Sequence, residues 1–69
     1  MTLYQHYKGG TYELIGEAMH SETQEPLVVY KQLYETTDYP KGTLWARPKK
    51  MFYEDVNVNG ETTPRFRKL

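Results

Sequence analysis

The chain has 69 residues, a formal net charge of zero and no cysteine. Those values leave room for one domain and exclude a disulfide-stapled scaffold or a thiolate metal site. No stretch approaches the roughly 20 apolar residues of a membrane-spanning helix, and Met1–Lys8 lacks the apolar run of a secretory signal, so a cytoplasmic protein is expected.

Residues 3–8 read as a short helical turn or a loop packed by Tyr4 and Tyr7, closed by the flexible break Gly9-Gly10. Thr11 to His20 is ambiguous. Leu14, Ile15, Ala18 and Met19 have helical spacing with Thr11 as a possible N-cap, whereas a strand would place Tyr12, Leu14, Gly16 and Ala18 on one face. Gly16 costs a helix interior about 1 kcal/mol, and a following strand is at hand to pair with, so β is expected. Ser21 to Pro26 is a polar connector. Leu27 to Tyr34 is the clearest strand, β-branched and aromatic between turn residues. Thr36 to Gly42 forms a second connector, and Thr43 to Arg47 a second clear strand, stopped by Pro48. Phe52 to Val58 then runs into Asn59-Gly60, the strongest hairpin signal in the chain, because both residues tolerate positive φ. Pro64 confines the return arm to an edge or strand end.

A domain of this size buries only about 60% of its unfolded surface, so its core must draw on bulky side chains. Seven Tyr, two Phe and one Trp supply them. Residues 1–40 hold six acids against two bases, and residues 41–69 hold seven bases against three acids. A basic half with aromatics in it hints at an anionic partner, but in a small sheet the two halves are neighbours, and charges that alternate across strands are the stronger expectation.

Several of these residues together resemble a known family. The run His20-Ser21-Glu22-Thr23, then Val28-Val29-Tyr30 and Leu33-Tyr34, Trp45-Ala46-Arg47-Pro48, Met51-Phe52 and Pro64-Arg65-Phe66 are similar in order and spacing to the DUF1653 family, small bacterial proteins of unknown function. Tyr7-Lys8-Gly9-Gly10 with Tyr12-Glu13 matches its usual start, so residues 1–69 read as a single domain of that type. The resemblance implies a mainly β domain and carries no activity to transfer. The acidic, proline-containing loop Thr36–Gly42 departs from the family pattern and is a poor candidate for a shared site.

Three constellations bear on function. His20-Ser21-Glu22 holds the groups of a nucleophilic triad, but consecutive residues seldom converge, and the run reads as a turn whose side chains bond local backbone. His6 and His20 are the only imidazoles, too few for a structural metal site, so no metal and no cofactor is expected. Trp45, Arg47, Lys49, Lys50, Phe52, Tyr53, Arg65 and Phe66 interleave rings with cations, a composition suited to single-stranded nucleic acid, although Trp45, Met51 and Phe52 also fit a core.

The expected fold is all-β or β-rich: a small, strongly bent sheet or SH3-like partial barrel of four to five short strands. The expected function is a non-enzymatic binding module for a protein segment, a nucleotide or single-stranded nucleic acid. Its face combines His20, Glu22, Tyr30, Trp45, Arg47 and Arg65. The alternatives are a small hydrolase-type enzyme with His20 as general base oriented by Glu22, or a structural protein dimerising through an edge strand. A protein or nucleic-acid partner, no membrane association and a monomer or weak homodimer are expected.

Overall fold

In the computed structural model, which describes residues 1–69, seven strands surround one helical turn. They are β1 (Leu3–His6), β2 (Thr11–Met19), β3 (Pro26–Gln32), β4 (Leu44–Pro48), α1 (Lys49–Phe52), β5 (Asp55–Val58), β6 (Glu61–Pro64) and β7 (Phe66–Lys68). Five form an antiparallel sheet in the order β4-β3-β2-β1-β7, and β5 and β6 form a separate hairpin. The β-rich fold expected from the sequence is the one found, as an open curved sheet with free edges at β4 and β7 rather than a closed barrel.

Side-chain alternation defines the faces. Directly paired residues point the same way, so Tyr4 opposite Tyr12, His6 opposite Phe66, Leu14 opposite Tyr30, and Tyr30 opposite Trp45 share one face. The curvature of that face is severe. Four strand spacings separate β4 from β7, about 19 Å in a flat sheet. Yet the guanidinium carbon of Arg47 on β4 lies 5.9 Å from the ring centroid of Phe66 on β7. A bulge contributes to the bend: the β2–β3 register jumps between Leu14 and Gly16, leaving Ile15 without a partner. The bulge also breaks the simple alternation expected along β2, because beyond it Glu17, not Gly16, stands opposite the core residue Val28.

The core is almost wholly aromatic and very small. Val28, Tyr30, Phe52 and Phe66 are its buried apolar members, with Tyr4, Tyr12, Leu14 and Trp45 packed around them. Phe52 and Phe66 stack at 4.2 Å with an interplanar angle of 10°. Pro48 ends β4, and the single turn of α1 then carries Phe52 beneath the sheet.

Two readings of the sequence are corrected. Residues 3–6 are a strand, not a helical turn or packed loop, because β2 and β7 supply partners on both sides. Residues 49–52 turn helically, so the strand expected from Phe52 begins only at Asp55. The hairpin signal is correct: Asn59 (φ 52°) and Gly60 (φ 84°) join β5 to β6.

Candidate ligand pocket on the concave face

The concave face opens into a cavity of about 180 Å³ walled by His6, Tyr12, Tyr30, Trp45, Arg47 and Phe66. At about 30 Å³ per water, that is room for about six waters. The pocket is open on one side, so a flat ring seated in it can carry an anionic group at its rim.

Five strands and one buried amide fix the walls. Gln32, only 2% exposed, accepts from the Trp45 indole (Nε1 to Oε1, 3.1 Å). Its Nε2 donates to the carbonyls of Tyr34 (2.8 Å) and Tyr39 (3.3 Å). Every polar atom of this amide is therefore engaged, and the ring of Trp45 is held against that of Tyr39 at 4.8 Å. Tyr12 and Tyr34 share a hydroxyl–hydroxyl bond of 2.7 Å. Burial, followed by that bond, pushes the Tyr12 phenol well above its ordinary value, so it stays neutral.

Arg47 is the only fixed positive charge in the pocket wall. Its Nε donates to the Tyr30 hydroxyl at 3.4 Å, and its guanidinium faces Phe66. No carboxylate lies within ion-pair distance of it, whereas Lys31 pairs with Glu13 (3.3 Å), Lys49 with Glu17 (3.0 Å) and Arg65 with Glu54 (3.2 Å). His6 stands across Phe66, its ring edge-on at 4.9 Å. Burial first, then the charges of Arg47, Arg65 and Lys8, hold the imidazole below its usual value. The backbone N–H of Lys8 donates to His6 Nδ1 (3.1 Å), which places the proton of the neutral ring on Nε2.

The residues singled out from the sequence divide into two places. Tyr30, Trp45 and Arg47 come together in this pocket. Arg65 does not line it and is bound to Glu54 through both backbone and side chain, with its Nε buried and unpartnered. His20 and Glu22 lie in the β2–β3 turn and line neither cavity of the molecule. There His20 Nδ1 accepts the backbone N–H groups of Glu22 (3.2 Å) and Thr23 (3.4 Å), while the Ser21 hydroxyl donates to the Glu22 carboxylate rather than approaching the imidazole. His6 and Tyr12 are pocket residues that the sequence reading did not place in a site. No local signal marks the first, because all four residues of β1 are part-buried and show no clear alternation. The loop Thr36–Gly42 contributes Tyr39 as the backing for Trp45.

A small antiparallel β domain with an aromatic, singly charged concave pocket is the class this geometry defines. The chain belongs to the DUF1653 family, described as proteins of unknown function, whose sequence profile matches residues 2–68. It is similar to a DUF1653 protein from Bordetella bronchiseptica known from its crystal structure, with 35% sequence identity and a TM-score of 0.82 over 94% of this chain and 80% of that one. No curated protein matches the chain.

Proposed function

We propose that this protein is a non-enzymatic binding module. Its concave pocket takes a ligand that joins an anionic group to a flat ring, the chemistry of a nucleotide or of single-stranded nucleic acid. The observation that carries this reading is Arg47: a half-buried guanidinium without a carboxylate, aimed into a cavity of ring faces. A cation removed in part from water is normally paired. Here the missing partner is supplied by the ligand, with the phosphate on Arg47 and the ring against Trp45 or Phe66.

The test is an amide and indole NMR titration with a thymidine dinucleotide, alongside free thymidine and inorganic phosphate. Saturable shifts at Trp45, Arg47 and Phe66 are expected for the dinucleotide, with weaker responses to each half alone. Arg47→Gln should weaken binding at least roughly tenfold, the scale of a charged hydrogen bond. Affinity should also fall with added salt. A pocket that ignores all three ligands, or one that binds equally well without Arg47, would refute the reading.

A further inference from the structure

His6 also lines the second cavity of the molecule, a cleft of about 460 Å³ between β1, the β5–β6 hairpin and β7. This cleft shares two features with the first pocket, an arginine without a carboxylate partner and a ring beside it, although Arg67 is exposed where Arg47 is half-buried. Arg67 stands in it as a cation without a carboxylate within ion-pair distance, one NH2 donating to Gln5 Oε1 at 2.9 Å and its other N–H groups free. Tyr7 supplies an exposed ring beside that of His6, at 4.6 Å, and the Lys8 ammonium lies 5.8 Å from the Tyr7 centroid. Asn59 and Thr63 add an amide and a hydroxyl from the hairpin. Glu61 also lines the cleft, and its carboxylate opposes an anion there.

Phe66 and Arg67 are consecutive on β7 and point to opposite faces of the sheet, so the two cation-and-ring stations lie on either side of its end at His6. A free nucleotide has one phosphate-bearing ring and fills one station. A polymer in which anion and ring alternate fills both. From this repetition we infer that the physiological ligand is a single strand of nucleic acid that runs from the Arg47 pocket past His6 into the Arg67 cleft, placing successive phosphates on the two arginines. The inference rests on the pocket reading above and adds to it the identity of the ligand as a strand, with a second subsite that binds its next unit.

The experiment compares a thymidine dinucleotide, which has one phosphodiester, with the trinucleotide, which has two, on the full chain by calorimetry at several salt concentrations. The trinucleotide should bind roughly tenfold tighter or more, from one added base stack. Its salt slope should steepen from about −0.7 to about −1.4, one more phosphate neutralised. Arg67→Gln should remove most of that gain and return the slope towards about −0.7. Amide shifts at Tyr7, Asn59 and Thr63 should follow the trinucleotide and not the dinucleotide. If the dinucleotide binds and the trinucleotide binds no better, the strand inference fails while the pocket stands. A gain that survives Arg67→Gln without shifts in the cleft overturns it equally. If neither oligomer shifts Trp45, the pocket reading itself falls.

Discussion

Gly9 and Gly10 are neighbours held in place for different reasons. Gly9 has φ of +110°, a conformation that L side chains resist. Gly10 has no such constraint, but a Cβ there would overlap the ring and hydroxyl of Tyr34. Gly10→Ala should therefore displace Tyr34 and break its bond to Tyr12, lowering stability by about 1–3 kcal/mol; urea melts and the Tyr12 resonances would show both effects. His6 gives a second expectation at this scale. Its folded value lies below the ordinary 6.5, so the folded state binds fewer protons than the unfolded one as the pH is lowered. The stability it contributes is complete above about pH 6.5 and is lost as pH falls through the depressed folded value. The urea midpoint should fall between pH 7.5 and pH 5, and His6→Gln should flatten that fall. An unchanged slope in the variant would place the acid sensitivity elsewhere. A bound phosphate beside Arg47 offsets one of the charges acting on the imidazole, so ligand should move the His6 titration upward.

Among the elements, the β5–β6 hairpin depends most on local chemistry. Gly60→Ala forces a side chain into the left-handed region and should cost about 1 kcal/mol, read as a lower denaturant midpoint with fraying confined to amides 55–64. The same locality explains why the hairpin is legible in the sequence: Asn59 and Gly60 satisfy the turn by themselves. The strand β3 is legible for a similar reason, since its β-branched and aromatic run needs no distant partner to be recognised. By contrast, β1 is hidden because Leu3 points outward and His6 inward, and all four of its residues are part-buried, which blurs the apolar and polar alternation. Only three residues make β7, and their partner is β1, at the other end of the sequence. Half of the site shares this fate. Tyr30, Trp45 and Arg47 lie on the two obvious strands and are found together. His6 and Phe66 join them only through the curvature of the sheet, which no local pattern encodes. The turn holding His20 and Glu22 attracted notice by composition, yet its polar groups are engaged largely with one another and with adjacent backbone.

At the scale of the whole molecule, five of 69 residues are buried, so each carries an unusual share of the stability. A domain of this length has about 3–10 kcal/mol in total, and truncating a buried phenylalanine removes about 3–5 kcal/mol. Phe66→Ala should leave the chain substantially unfolded at 25 °C, seen as collapsed amide dispersion, whereas Leu44→Ala on the exposed side of β4 should be nearly silent. The dominance of Phe66 has a further consequence during synthesis. This ring touches His6, Tyr12, Tyr30 and Phe52, all of which precede it in the chain. While a ribosome is still adding residues 53–65, β1 to β4 and α1 have been made, but the ring that closes their concave face has not. A nascent chain from which β1 to β4 have emerged before Phe66 presents an open aromatic surface and an unpaired β1 edge, the features that recruit chaperones or invite aggregation. Folding of this domain thus waits for Phe66 to emerge, and its aromatic face stays open until then.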